Sequence, residues 1–158
     1  MVVLGLLIIS SCTSTMGGVE TASIEINAPV EEVFKHVSDP DNLPHDVDVI
    51  ESVSNVQGEG QGATFDWIVS GGGGRYPGKA VVTDSVANQK MVFMTTCGKE
   101  ITILFMPAQG GGTRLIITLQ YDAEVPATGK KVRGIVKERV QGMLDGWLAN
   151  VKEELTAD

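Results

Sequence analysis

The chain has 158 residues, a formal net charge of −8 at pH 7 and a sequence pI of about 4.7. This length predicts one domain that buries a core without needing disulfide bonds. Nucleic-acid partners are excluded, because they require a basic patch. The one cluster of basic residues is mixed with acidic residues, as on a solvated helix face. The basic residues of this cluster are Lys130, Lys131, Arg133, Lys137 and Arg139.

Residues 1–18 are expected to lie outside the folded domain, which is predicted to span residues 19–158. The segment MVVLGLLIISSCTST joins a short apolar run to small residues and Cys12. It is too short for a membrane-spanning helix, which takes about 20 residues, but it is similar to a secretory signal. The stretch ending at Cys12 resembles the bacterial lipoprotein cleavage box, whose cysteine is lipidated. No Lys or Arg precedes the apolar run, so a cytoplasmic protein starting at Met16 stays an equal alternative to a cell-envelope lipoprotein.

The domain begins with a strand that leads directly into a helix. Apolar residues alternate at Ala22, Ile24 and Ile26, which predicts a half-buried strand over residues 19–27. After Pro29 the apolar spacing becomes helical until Asp39-Pro40, where a helix must end. The predicted helix has an apolar stripe of Val30, Val33, Phe34 and Val37. A second short helix or turn is expected over the segment DNLPHDVDV.

Six further strands are predicted between residues 49 and 123, because alternating apolar segments are separated by turn signals. Short turns between consecutive strands imply an antiparallel sheet. The glycine-rich segment 70–78 is expected to be a long connection between two of them. Alternation assigns these large side chains to inward faces: Phe65, Trp67, Met91, Phe93, Phe105 and Tyr121.

From about Thr128 the apolar spacing predicts one long helix that runs to the end of the domain. Its stripe contains Val132, Ile135, Val136, Val140, Met143, Leu144, Trp147, Leu148, Val151 and Leu155. Arg139 falls inside this stripe by its angle to Val132 and Ile135. Two interpretations stay open: an anchor for a ligand carboxylate or phosphate, or an arginine that extends past the stripe to water. Gly142 and Gly146 flank the stripe, and two interpretations stay open for them: close approach to neighbouring backbone, or local flexibility of the helix.

The order of elements, together with ASIEINAPVEEVFKHVSDPDNLP at residues 22–44, resembles the START-related SRPBCC superfamily and its polyketide cyclase/dehydrase and lipid-transport branch. The matching motifs are Ile26-Asn27-Ala28-Pro29, Val33-Phe34 and Asp39-Pro40-Asp41-Asn42-Leu43-Pro44. His45 departs from the pattern, because many relatives have Trp there. The resemblance implies an α+β helix-grip fold: a curved antiparallel sheet of about seven strands around a long C-terminal helix, with two short helices after strand 1. It also implies a hydrophobic cavity between sheet and helix.

Within that cavity the predicted ligand-binding residues are Trp67, Phe93, Phe105, Tyr121, Arg139, Met143 and Trp147. Periodicity alone does not distinguish a packed core from the lining of a pocket. No cofactor and no metal is expected. Residues 73–80, GGRYPGKA, nearly spell a phosphate-binding loop, but Ala80 replaces the magnesium-binding hydroxyl and no helix follows. His45, Asp46 and Asp48 are typical of a solvated turn, and His36 is expected on the polar side of its helix.

We therefore expect a protein that binds or carries a small hydrophobic molecule, lipid-like or polyketide-like. A cyclase or dehydratase is the alternative, and it would require an acid/base pair inside the cavity. The inward strand faces are almost free of Asp, Glu and His, and Asp66 is predicted to point away. A protein-interaction module with a collapsed cavity is a further alternative. Ligand identity and oligomeric state are not encoded in any motif of the chain.

Overall fold

A computed structural model describes residues 16–71, 73–96, 98–123 and 130–156, with side chains at 18–71, 73–96, 98–121 and 137–156. The first elements in chain order are β1 (Met16–Ile26), α1 (Val30–Val37), a 3₁₀ turn (Pro40–Asn42) and α2 (Leu43–Asp46). The remaining elements are β2 (Ile50–Gln57), β3 (Thr64–Gly71), β4 (Gly74–Val86), β5 (Lys90–Thr95), β6 (Glu100–Pro107), a 3₁₀ turn (Gln109–Gly111), β7 (Thr113–Ala123) and α3 (Lys130–Thr156). No described helix is long and apolar enough to cross a bilayer.

The seven strands form one antiparallel sheet in the order β1-β7-β6-β5-β4-β3-β2. Each strand from β2 to β7 pairs with its neighbours in sequence, as hairpins do. The exception is β1, which pairs with the last strand, β7, from Met16↔Ala123 to Ile26↔Thr113. The predicted fold is confirmed: a seven-stranded antiparallel sheet, two short helices after β1 and one long C-terminal helix.

Two boundaries differ from the sequence prediction. β1 begins at Met16, earlier than residue 19, because Gly17 and Gly18 pair with β7. The glycine-rich segment is not a long loop. Instead β3 and β4 continue toward each other until Gly71 pairs with Gly74, and Gly73 adopts a positive φ of 82° that suits glycine at such a turn.

The core lies on the inward face of the sheet, which α3 covers. Alternate residues along β6 and β7 are buried, as predicted: Ile101, Ile103, Phe105, Leu115, Ile117, Leu119 and Tyr121. The described part of α3 contributes Leu144, Trp147, Leu148 and Val151 to the same core. Because sheet and helix both bury one side, the space between them is where a cavity can form.

The junction between β1 and α1 is held by a buried hydrogen bond, in which Thr113 Oγ1 donates to the carbonyl of Ala28 at 2.8 Å. Beyond it, α1 and α2 are joined through His36 Nε2, which lies 3.0 Å from both carboxylate oxygens of Asp46. The Nδ2 of Asn150 on α3 donates to the backbone carbonyl of Asp46 at 3.0 Å. Asp46 is only 1% exposed. The expectations of an exposed His36 and a solvated Asp46 are therefore wrong: the two side chains pair with each other across separate helices.

Candidate ligand-binding site

A cavity of about 140 Å³ lies between the inner face of the sheet and α3; we call it the pocket. The sheet contributes Trp67, Val69, Thr95, Ile101 and Leu119. The helix α3 contributes Met143 and Trp147, and the α2–β2 region contributes Leu43, Val47, Val49 and Ile50. Lys99, before β6, completes the lining. Three predicted ligand-binding residues, Trp67, Met143 and Trp147, are thus brought together at one site.

Trp67 is positioned by a glycine on the neighbouring strand. In the β3–β4 register Trp67 is directly opposite Gly78, and a side-chain carbon at Gly78 would lie 2.8 Å from Trp67 Cδ1. The indole therefore occupies the space where any other residue would place its Cβ. Phe65 packs against Trp67 edge to face, with ring centroids 5.8 Å apart. Gly78 in the apparent phosphate-loop motif thus supports an aromatic side chain.

On the helical side, Met143 and Trp147 are four residues apart and so lie on the same face of α3. Trp147 is 3% exposed, and its Nε1 has no hydrogen-bond partner among the described residues. The chain contains two tryptophans, and both of them line the pocket. Their indole signals consequently report on this site.

The polar groups of the pocket are few. Besides the indole N–H groups of Trp67 and Trp147, the lining includes the hydroxyl of Thr95 and the ammonium of Lys99. Thr95 Oγ1 accepts a hydrogen bond from the backbone N–H of Lys99 at 3.2 Å, and the Lys99 side chain is exposed. None of the residues known to line the pocket is Asp, Glu or His. The described lining can exclude water and donate hydrogen bonds, but no carboxylate or imidazole in it could act as a general base.

Phe93 and Phe105, predicted to bind ligand, are buried side chains that are not among the pocket's described lining. Phe93 packs against Phe65 with centroids 6.3 Å apart, and Phe105 packs against Phe34 at 5.0 Å. Their position explains the ambiguity in the sequence, since alternation marks an inward side chain whether or not a cavity lies beside it.

Tyr121 is buried on the inner face of the sheet, where β7 pairs with β1. A side-chain carbon at Gly18 would lie 2.5 Å from Tyr121 Cζ, so the phenol ring covers the glycine on the neighbouring strand. Burial raises the pKa of Tyr121, and the negative charge of Glu20 adds to this effect. The phenol therefore stays protonated at neutral pH, but Tyr121 does not appear in the described lining of the pocket.

Arg139 is exposed on α3 and is not in the described lining of the pocket. It lies one turn before Met143, which lines the pocket, so the two residues share a helix face. Its exposure agrees with the interpretation of an arginine that extends past the stripe to water, and its role as a ligand anchor stays a prediction. For Gly142, close backbone approach is excluded, because a Cβ there would meet nothing within 4 Å.

The sequence analysis missed the wall formed by Leu43, Val47, Val49 and Ile50. These residues follow no single period, since they comprise the first residue of α2, two residues of the irregular connection after it and the first residue of β2. Their common apolar character was the available signal. It could not show that the connection folds back toward α3, which depends on the tertiary contact of Asn150 with Asp46 and with Asp48 Oδ1 at 3.1 Å.

A second cavity of about 580 Å³, here called the groove, opens beneath α1. Its walls are formed by Phe34, Lys35, Ser38, Asp39, Pro40, Val56, Gly58, Glu59, Gly60, Ala63, Val82, Ser85 and Met91. Ala63, directly before β3, lines the groove and Trp67 on β3 lines the pocket, with buried Phe65 between them. Along β5, Met91 lines the groove and Thr95 lines the pocket, with buried Phe93 between them. The Phe65–Phe93 pair thus separates the two cavities.

The remaining polar candidates do not form a catalytic or metal site within the described residues, where no cluster of three or more His, Cys, Asp or Glu is present. Asp66 accepts a hydrogen bond from Asn55 Nδ2 at 2.7 Å, and Lys79 Nζ lies 3.5 Å away. The hydrogen bond from Asn55, followed by the charge of Lys79, lowers the pKa of Asp66. Asp66 is a stable anion on the strand face opposite Trp67. Cys12 lies outside the described residues, so its lipidation stays a prediction.

Comparison with known proteins agrees with this geometry. Residues 20–156 match the family described as polyketide cyclase / dehydrase and lipid transport. The chain belongs to this family. No curated protein matches the sequence. Among solved structures, TTHA0849 from Thermus thermophilus is similar, with 26% identity, a TM-score of 0.73 and coverage of 89% of this chain and 98% of that one.

A second solved structure in the same fold is the Zhui aromatase/cyclase from Streptomyces sp. R1128. It has 12% identity and a TM-score of 0.68, and the match covers 90% of this chain and 98% of that one. At such low identity the likeness establishes the shared helix-grip fold. It does not extend to the chemistry of the cavity.

Proposed function

We propose that the protein binds a small, largely apolar molecule in the pocket between the sheet and α3. The observation that supports this most directly is a cavity of about 140 Å³ whose described lining consists of aliphatic and aromatic side chains apart from Thr95 and Lys99. Binding sites for small molecules combine such apolar walls with a few polar groups that fix orientation. A measurable cavity also argues against the collapsed interaction module.

The pocket is small for a member of a family that includes lipid transport. An apolar cavity of about 150 Å³ admits a single benzene ring. An occupant of the pocket as it stands is therefore a single-ring or similarly compact molecule. A lipid chain or a folded polyketide would require the Phe65–Phe93 pair to move, so that the pocket and the groove join.

Binding is favoured over cyclase chemistry by the absence of Asp, Glu and His from the described lining. The name of the Streptomyces relative, an aromatase/cyclase, is the argument for the alternative. A cyclase or dehydratase needs a group that removes or supplies a proton within hydrogen-bonding distance of the substrate. Lys99 is the one titratable side chain in that lining, and it is exposed.

The affinity follows from the hydrocarbon area that binding would bury. A single-ring ligand buries on the order of 200 Å², which at about 25 cal/mol per Å² contributes about 5 kcal/mol. This corresponds to a dissociation constant on the order of 0.1–1 mM. Binding at this strength is best followed by NMR titration.

The test is a titration of ¹⁵N-labelled protein with α-methylstyrene, a compact single-ring hydrocarbon. We expect saturable shifts of both indole N–H signals, because Trp67 and Trp147 line the pocket. Val69→Phe adds a ring to the pocket wall and should abolish the shifts. Val56→Phe makes the same change in the groove, where Val56 is 41% exposed, and should leave them intact.

The proposal would be contradicted if α-methylstyrene left both indole signals unmoved at millimolar concentration, or if Val69→Phe and Val56→Phe affected binding equally. Turnover of a polyketide-like substrate that depends on Lys99 would support the cyclase instead. Each variant should first be checked by circular dichroism and thermal denaturation, because an added ring in a packed wall destabilises by about 1–3 kcal/mol.

The predicted lipid anchor at Cys12 is a separate proposal about location. Cells expressing the full chain and fed radiolabelled palmitate should label the protein, and Cys12→Ala should remove the label. Cys97→Ala is the matched control, because Cys12 and Cys97 are the two cysteines of the chain. An unlabelled wild-type protein would favour the cytoplasmic alternative.

A further inference from the structure

Lys99 is the one charged residue in the described lining of the pocket. It lies two residues before Ile101, a buried inward residue of β6, and successive strand residues alternate between the two faces of a sheet. Lys99 therefore continues the inward row of β6 past the start of the strand. On β5, Thr95 likewise lies two residues after the buried Phe93. The apolar inner face thus ends in a hydroxyl and an ammonium, and we call Thr95 and Lys99 the rim.

Hydrogen bonds hold the backbone of Lys99 in place at the rim. The N–H of Thr95 donates to the carbonyl of Lys99 at 2.9 Å, and the N–H of Lys99 donates to Thr95 Oγ1 at 3.2 Å. The Lys99 side chain both lines the pocket and is exposed. A long cationic side chain in such a position packs its methylene groups on the apolar wall and keeps its ammonium in water. The positive charge therefore lies where the pocket meets solvent.

The described surroundings offer Lys99 no anionic partner. None of the ion pairs between described side chains includes Lys99, and no residue in the described lining is acidic. Glu100 follows Lys99 directly, so its side chain falls on the other face of the sheet. Lys79, whose carbonyl accepts from the N–H of Thr96 at 3.0 Å, has its ammonium 3.5 Å from Asp66 Oδ1 on that outer face. A negative group at the rim would therefore meet a cation that no described carboxylate neutralises.

We propose that the occupant of the pocket is a ring-sized apolar molecule carrying a carboxylate, which pairs with Lys99 at the rim. This inference rests on the proposed binding function and adds the charge of the ligand and its orientation. The ring contacts Trp67 and Trp147, which are both in the lining, and the carboxylate points to solvent. Because the carboxylate stays hydrated, binding avoids the large cost of burying a charge. Lys99 thus favours an acid over a neutral molecule of the same shape.

The experiment compares phenylacetate with phenylacetamide, which have nearly the same shape and differ by a negatively charged oxygen in place of an NH₂ group. Dissociation constants are measured by NMR titration at neutral pH for the wild type, Lys99→Gln and Lys152→Gln. In Lys99→Gln we expect phenylacetate to lose about threefold in affinity relative to phenylacetamide, the effect of one exposed ion pair. Lys152→Gln is the matched control, because Lys152 is an exposed lysine outside the described lining, and it should leave the ratio of affinities unchanged.

Two further measurements separate an effect of charge from a change in the shape of the rim. Lys99→Arg keeps the positive charge and should retain the wild-type ratio of affinities. In the wild type, raising NaCl from about 0.05 M to about 0.5 M should weaken phenylacetate relative to phenylacetamide, since salt screens exposed charges. In Lys99→Gln the same change should have less effect. The wild-type titration does not depend on any variant folding.

The outcomes separate this inference from the binding function. If α-methylstyrene binds but the phenylacetyl ligands do not, or if Lys99→Gln leaves their ratio unchanged, the carboxylate inference is overturned while the binding function stands. A ratio that changes in Arg139→Gln and not in Lys99→Gln would also overturn it, in favour of Arg139 as the anchor. If none of the three molecules binds, the binding function itself fails. A relative loss of about threefold in Lys99→Gln alone, together with the salt dependence, supports both.

Discussion

The pocket and the groove lie on the same inner face of one sheet, yet they differ in size and in chemistry. The pocket is about 140 Å³ and is lined mainly by apolar side chains, whereas the groove is about 580 Å³ and includes Lys35, Asp39 and Glu59. The pocket is closed by the long helix α3, which presents a continuous buried side. The groove is closed by the two-turn helix α1 and by the β2–β3 loop, whose Gly58 and Gly60 have positive φ.

This difference shows that a helix-grip sheet sets the position of its cavities, while a few large side chains set their volumes. Phe65 and Phe93 are both 1% exposed and meet edge to face at 6.3 Å. They fill the part of the inner face that would otherwise connect the two cavities. The volume that the proposed site offers to a ligand is thus determined by two rings rather than by the fold.

The largest effect is expected from removing the ring between the cavities. Phe65→Ala should lower the free energy of unfolding by about 3–5 kcal/mol, the usual cost of a buried Phe→Ala change. It should also admit 2-methylnaphthalene, which is too large for the pocket alone. Phe105→Ala is the control, because it removes an equally buried ring that packs on Phe34 instead. Urea denaturation and NMR titration would measure both, and equal binding of 2-methylnaphthalene by the two variants would refute the separating role of Phe65.

A smaller effect is expected from the glycine beneath Trp67. Gly78→Ala forces the indole to move, since the new Cβ would lie 2.8 Å from Trp67 Cδ1. We expect a loss of about 1–3 kcal/mol in stability and weaker binding of α-methylstyrene in the pocket, with the groove unaffected. Gly71→Ala, where a Cβ would meet nothing within 4 Å, is the comparison. A Gly78→Ala protein with unchanged affinity would show that Trp67 does not shape the pocket.

The helices over both cavities should loosen with rising pH. The hydrogen bond to the Asp46 carboxylate raises the pKa of His36 above its ordinary value of 6.5. Because the folded protein then holds this proton more tightly than the unfolded chain, the stabilisation is fully present below about pH 6.5. It is lost as the pH rises through the raised pKa. We expect a change of about 1 kcal/mol, measured by urea denaturation between pH 5.5 and 8.5. His36→Gln should flatten the profile, whereas His45→Gln, at an exposed position, should not; a flat wild-type profile would exclude this contribution.

The smallest effect is expected at Gly142 on α3. A Cβ there meets nothing within 4 Å, so Gly142→Ala should raise stability by about 0.5–1 kcal/mol through helix propensity alone. Ligand affinity in the pocket should stay the same, because the added methyl group is exposed. Differential scanning calorimetry would detect the gain. A destabilised Gly142→Ala protein would revive the interpretation of close backbone approach at this glycine.

The fold could be predicted from the sequence because strand alternation, the Pro29 junction and the long terminal stripe each depend on local spacing. The same spacing identified Trp67, Met143 and Trp147 as inward side chains. It could not show which inward residues face a cavity, so Phe93 and Phe105 were included and the α2–β2 wall was missed. The support of Trp67 by Gly78 depends on strand register.

Contacts between separate elements were equally hidden from the sequence. The pairing of His36 with Asp46 joins two helices whose relative orientation no periodicity encodes. Arg139 falls inside the apolar stripe by its spacing, yet its side chain is exposed, which periodicity alone does not reveal. Local pattern therefore determined the architecture, whereas the details of the site depended on tertiary contacts.

The connection from His36 through Asp46 to Asn150 has a consequence for how a ligand reaches the pocket. It links α1, α2 and the C-terminal half of α3 through side-chain hydrogen bonds. An occupant of the proposed pocket that leaves past these helices would have to break both contacts.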